Sequence, residues 1–128
     1  MIGFVVVSHN AKLAEEAIRL SKMMQFEDFP IINGGGLSES EEFGTDATVI
    51  MEAINKANCG DGVLVFCELG SSVMNSQMAI ELMGDESVRL VDAPLVEGLV
   101  VGVSANNRNV TLDDLEKEIM EIRNFNKN

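Results

Sequence analysis

The chain holds one histidine, His9, within Val5-Val6-Val7-Ser8-His9-Asn10. An imidazole titrates near neutrality, so a ring nitrogen can attack an electrophile or take a proton at ordinary pH. Such a nucleophile works best when its second nitrogen donates to a fixed acceptor that sets the tautomer. Glu68, which precedes Leu69-Gly70-Ser71-Ser72, is placed to be that acceptor, with Asp92 and Glu97 as other acidic candidates. Gly70, Ser71 and Ser72 offer backbone amides and two hydroxyls to an anion, and a glycine lets the anion come close. Gly34-Gly35-Gly36 is a second glycine-rich turn, in which Gly35 is a candidate phosphate contact. Each feature also has a plain structural use: His9 as a helix cap, Glu68 as a solvated carboxylate, the glycine runs as turns.

These residues act together only if the fold brings them to one place. Ile2–Val7 is apolar and mostly β-branched, which predicts a strand buried on both faces. Leu13, Ala14, Ala17, Ile18, Leu20, Ser21 and Met24 then recur at helical spacing. Phe29–Ile32, Val63–Cys67 and Val88–Val91 predict three more strands. Between them, Thr45 or Asp46 can cap a helix carrying Val49, Ile50, Ala53, Ile54 and Ala57. Val73, Met74, Met78, Ala79, Leu82 and Met83 form another helical stripe, and Thr111 caps a last helix with Leu112, Leu115, Ile119 and Ile122 inward. The alternation predicts an α/β fold, a doubly wound, mainly parallel sheet with helices on both faces, as one domain over residues 1–128. In such sheets ligands collect beyond the carboxyl ends of the strands, the edge shared by His9, Gly34–Gly36 and Glu68–Ser72. Leu99–Val103 is ambiguous, a strand by propensity and equally a buried helix by its short apolar pattern.

Composition excludes several functions. A net charge of −12 argues against nucleic acid and against an anionic membrane surface, and suits a basic protein partner. Cys59 and Cys67 with one histidine supply neither a disulfide framework nor a His/Cys metal cluster, so no metal and no cofactor is expected. The apolar amino-terminal run is too short for a signal peptide or a membrane span, which makes a cytoplasmic location the default. No Gly-x-Ser-x-Gly elbow marks a serine hydrolase, and no Gly-Lys-Ser/Thr marks a P-loop.

Six segments in register resemble one family: Val5–His9, Gly34-Gly35, Gly44-Thr45, Asp61–Val65, Leu69–Ser71 with Met74-Asn75, and Ala93–Gly98. They are similar to the phosphotransfer subunit of the phosphoenolpyruvate-dependent dihydroxyacetone kinase, a relative of the mannose-type enzyme IIA of the sugar phosphotransferase system. The resemblance implies that His9 accepts a phosphoryl group at Nε2 from phospho-HPr, with Nδ1–H held by a carboxylate. It implies transfer onward to ADP in the nucleotide-binding kinase subunit, a homodimeric state, and a phosphate cradle at Gly70, Ser71 and Ser72. A sugar enzyme IIB as acceptor, or a non-catalytic anion-binding module of the same fold, are the alternatives. The family pattern has aspartate where this chain has Glu68, so the longer side chain requires the loop or ring to adjust. The resemblance also implies a helix over residues 97–105, and a single-domain member without HPr-like or enzyme I-like extensions.

Overall fold

The computed structural model describes residues 1–128. Strands β1 (Gly3–Val7), β2 (Ile31–Asn33), β3 (Val63–Cys67) and β4 (Val88–Leu90) alternate with helices α1 (Ala11–Ser21), α2 (Ala47–Ala57) and α3 (Ser71–Met83). Helices α4 (Leu95–Ala105) and α5 (Leu112–Met120) follow β4. The sheet is parallel throughout, in the order β2-β1-β3-β4. This is the α/β architecture expected from the alternation of strand and helix patterns.

Side-chain alternation along the two central strands sorts the core into two halves. Phe4, Val6, Leu64 and Phe66 face α1, α4 and α5 through Ile18, Leu99, Val103, Leu115 and Ile119. The Phe4 ring packs on Phe29 and Phe66 with centroids 5.1 and 4.9 Å apart. Val5, Val7, Val63, Val65 and Cys67 face α2 and α3 through Ile50, Ala53, Ile54, Ala57 and Ala79. Both central strands are buried on both faces, which explains their unbroken apolar sequence.

Two local expectations need correction. In α1 the buried residues are Ala14, Ala17, Ile18 and Ser21, a strict helical stripe, while Leu13 and Leu20, and Met24 in the turn that follows, point outward. In α3 the buried face is Ser72, Ser76 and Ala79, and Met74, Met78 and Leu82 are exposed. Small residues let these helices lie close to their neighbours, so helical phase outranks side-chain size. Residues 95–105 are helical despite their β-branched content, as the resemblance implies for 97–105. Here burial decides: Gly98, Leu99, Gly102 and Val103 are buried, and a Cβ on Gly102 would meet Ile119, Phe4 and Phe66 at 3.0–3.2 Å.

Candidate functional site

The site is set by strand order. Chain connection runs outward from β1 to β2 and returns to β3 on β1's other side, which makes the β1–β3 gap a switch point. Val7 pairs with Cys67 in register, so the residues that follow, Ser8-His9 and Glu68, emerge side by side. His9 Nδ1 lies 2.7 Å from Glu68 Oε1, and the His9 backbone N–H donates to the same oxygen at 2.6 Å. Glutamate therefore reaches the ring as the expected acceptor. The capping role goes to Asn10, whose side chain accepts from Lys12 N–H at 3.0 Å, leaving the imidazole free.

Burial by itself would raise the Glu68 carboxyl, but hydrogen bonds from the His9 amide, the His9 ring and the Ser8 hydroxyl, with the ring's charge whenever it is protonated, together outweigh it. They hold Glu68 below the ordinary glutamate value of 4.5. An ionised carboxylate can only accept, so Nδ1 carries the proton and Nε2 presents its lone pair. The tautomer follows from this hydrogen-bond network.

Nε2 faces the start of α3, where Ser71 Oγ lies 2.7 Å away. Gly70 makes the turn from β3 into α3 with φ 66° and ψ −127°, a conformation open chiefly to glycine. The Ser71 and Ser72 amides open the first turn of α3, at the helix's positive end, whereas Val73 N–H donates to Gly70 O at 3.1 Å. The two candidate serines part company here. Ser71 is exposed and touches the ring, whereas Ser72 is fully buried and donates its hydroxyl to Leu69 O at 2.9 Å. Ser72 thus has only its backbone amide to offer an anion.

Gly35 serves packing. Its N–H donates to Asn33 Oδ1 at 2.9 Å, and a Cβ there would sit 2.8 Å from Ser8 O and 2.9 Å from Ser8 N. Its missing side chain lets the turn after β2 lie against the end of β1. Asp92 pairs with Arg123 at 3.2 Å and Glu97 with Lys127 at 3.1 Å, so neither turns to His9. Two residues not expected at the site join it: Asn75, and Thr45, whose expected capping role goes to Asp46. Thr45 Oγ1 donates to Ser71 O and Oγ at 3.2 and 3.3 Å, and Asn75 Nδ2 donates to Thr45 Oγ1 at 2.7 Å. Gly44 N–H donates to His9 O at 2.9 Å, which pins the loop carrying Thr45 beside the ring. A sequence signal for Asn75 existed, its position one helical turn after Ser71 on the same face.

Ser71, His9 and Glu68 have the connectivity of a serine–histidine–acid triad. A groove of about 710 Å³ opens beyond Glu68, lined by Leu69, Val73, Leu90, Pro94 and Leu95 among others, but neither His9 nor Ser71 lies on its wall. The apolar surroundings suited to an acyl group and the reactive hydroxyl are therefore on different sides of Glu68. No three His, Cys, Asp or Glu side chains converge as a metal-ligand set. In the segments that carry the site residues, Phe43, Leu69 and Met74 are 77%, 81% and 68% exposed, and Glu39, Glu41 and Glu42 are exposed on the loop before Thr45. No helix is long and apolar enough to cross a membrane.

Comparison with known proteins identifies the family. Residues 3–118 match the model of the family described as the PTS system fructose IIA component. The chain is 32% identical over 126 residues to the phosphoryl donor subunit DhaM of the PEP-dependent dihydroxyacetone kinase of Providencia stuartii, covering 94% of this chain and 26% of that protein. The corresponding Escherichia coli subunit is 39% identical over 111 residues, 82% of this chain and 24% of that one. The chain thus spans about a quarter of these two relatives. A Listeria innocua DhaM, 28% identical, is matched over 95% of this chain and 99% of its own length. Among solved structures, a crystallised protein of unknown function, EF1359, superposes with a TM-score of 0.82 at 25% identity, covering 94% of this chain and 95% of that one.

Proposed function

We propose, because this chain belongs to the family of PTS system fructose IIA components, that it is a phosphohistidine carrier with His9 as the phosphoacceptor. The observation that carries this reading is the oriented ring: Nδ1 held on Glu68 at 2.7 Å, and Nε2 turned outward to the amino end of α3. In the first step the Nε2 lone pair forms a bond to phosphorus as the donor's P–N bond breaks, its electron pair returning to the donor ring. Nδ1–H stays with Glu68 and steadies the positive charge that develops on the His9 ring. Phosphoryl transfer needs positioning and dispersal of charge on the equatorial oxygens, which the Gly70–Ser72 amides and the Ser71 hydroxyl are suited to supply.

The likeness to DhaM subunits supports phospho-HPr as donor and ADP in the nucleotide-binding subunit of dihydroxyacetone kinase as acceptor. In the second step an oxygen of the ADP terminal phosphate attacks phosphorus, and the Nε2–P bond breaks. The test is incubation with phosphoenolpyruvate, enzyme I and HPr. The expected product is an acid-labile, base-stable phosphate on wild type and none on His9→Ala. An unlabelled wild type, or an undiminished label on His9→Ala, overturns the proposal. Adding the ADP-loaded kinase subunit then converts ADP to ATP; a retained label favours a sugar enzyme IIB as acceptor.

The triad connectivity favours a second reading, acyl transfer at Ser71. A fluorophosphonate probe separates the two, since phosphocarrier chemistry leaves Ser71 unlabelled and a serine hydrolase labels it.

A further inference from the structure

The Ser71 hydroxyl occupies the position that phosphorus must take. It lies 2.7 Å from Nε2, on the lone pair that makes the bond. Once Nε2 is phosphorylated that lone pair is gone, and the hydroxyl must find another acceptor. What holds it before and after is a line of hydrogen bonds whose direction is dictated from both ends.

At one end Asn75 Nδ2, which can only donate, gives a proton to Thr45 Oγ1 at 2.7 Å and also approaches Thr45 O at 3.3 Å. The Thr45 proton is then free to point to Ser71, whose O and Oγ lie 3.2 and 3.3 Å away. At the other end Glu68 fixes the proton on Nδ1, which leaves Nε2 as an acceptor for the Ser71 proton. Every group in the series Asn75, Thr45, Ser71, His9, Glu68 therefore donates toward Glu68. The scaffold behind this series is fixed. Ser71 and Asn75 are one turn apart on α3, Gly36 bridges Thr45, and Asp46 caps α2 immediately after Thr45. Thr45 and Asn75 are both partly buried, so bulk water competes little for their bonds.

We propose that Thr45 and Asn75 are positioning residues for phosphoryl transfer at His9. They hold the Ser71 hydroxyl on Nε2 in the resting protein and turn it, with the Thr45 hydroxyl beside it, onto a phosphoryl oxygen after transfer. Rotation about the Ser71 side-chain bonds suffices for the exchange, and no covalent bond to Ser71 forms. The inference rests on the phosphohistidine reading for its catalytic part, while the resting hydrogen-bond series stands independently of it.

The test compares Thr45→Val, Thr45→Ser, Asn75→Asp and the wild type. Asn75→Asp keeps the shape but replaces a donor by an acceptor, so the Thr45 proton turns away from Ser71. Two readouts are taken on proteins checked for cooperative melting: the ring ¹⁵N resonances of unphosphorylated His9, and the rate of phosphoryl uptake from phospho-HPr. Thr45→Val and Asn75→Asp are expected to move the Nε2 resonance toward that of a nitrogen accepting no hydrogen bond. They are expected to slow uptake by about tenfold, the scale of one neutral hydrogen bond. Thr45→Ser restores both. Wild-type resonances and rates in folded Thr45→Val and Asn75→Asp overturn the inference. A wild type that takes no phosphate overturns the phosphohistidine reading instead, and the resonances alone then decide the hydrogen-bond series. If Asn75→Asp does not fold, the Thr45→Val and Thr45→Ser pair decides by the same two measurements.

Discussion

Glu68 does two things at once for His9. It takes the backbone amide and the ring N–H on one oxygen, so the same carboxylate fixes where the histidine is and which nitrogen keeps its lone pair. Replacing it by glutamine removes a charge-assisted bond and is expected to slow phosphoryl uptake by about 10–100-fold without unfolding the chain. Quench-flow measurement of labelled protein checks this, and wild-type rates would take the carboxylate out of the mechanism. The pH dependence has a definite sign. The Glu68 carboxyl is held below its ordinary value in the folded chain, so its contribution to stability is fully present above 4.5 and is lost as pH falls through the lower, folded value. Denaturation curves of wild type and Glu68→Gln should therefore converge as the medium becomes acidic below about 4.5, the ordinary glutamate value. The neighbouring thiol behaves in the opposite way. Burial, and then the Glu68 charge, push Cys67 up to about 11, so it is protonated at neutral pH. Iodoacetamide at neutral pH should modify exposed Cys59 and leave Cys67 untouched until the protein is denatured, as mass spectrometry would record.

Among the elements, α3 supplies most of the site and does so through its first turn. Gly70 holds φ 66° with nothing within 4 Å of where a Cβ would stand, so an alanine there fits the space and strains only the backbone. Gly70→Ala is expected to cost about 1–3 kcal/mol in urea denaturation. It should also slow uptake beyond what the stability loss explains, because it re-aims the Ser71 hydroxyl. The phase of the same helix accounts for its surface. With Ser72, Ser76 and Ala79 turned inward, Ser71 and Asn75 come to the His9 side, and Met74, Met78 and Leu82 are left outside. A side chain with polarisable, flexible atoms suits a surface that meets more than one partner.

At the scale of the whole molecule, the charge of −12 and the exposed glutamates on the loop before Thr45 favour a partner with a basic rim. Uptake from the phosphoryl donor should fall by about tenfold between roughly 0.01 and 0.15 M salt, as the screening length drops from about 30 to about 8 Å. A salt-independent second-order rate would mean that the acidity serves solubility alone. Because His9 is the only histidine, the proposed function requires donor and acceptor to approach one ring in turn. Much of this was present in the order of residues. Strands buried on both faces announce themselves as continuous apolar runs, and Asp46 and Thr111 cap the helices that follow them, since caps are local chemistry. The alternation of strand and helix sufficed to send His9, Glu68 and Gly70–Ser72 to one edge of a parallel sheet. The tertiary structure decided the rest. Strand order and the Val7–Cys67 register brought Glu68 to Nδ1, and packing of α3 chose Ser71 over Ser72 for Nε2. The β2-to-α2 loop folding back on the end of β1 delivered Thr45. Propensity and periodicity concern neighbours along the chain, whereas the contacts of Ser71 with Thr45 and His9, and of His9 with Glu68, join residues from 26 to 62 positions apart, and only the packed core sets their distances.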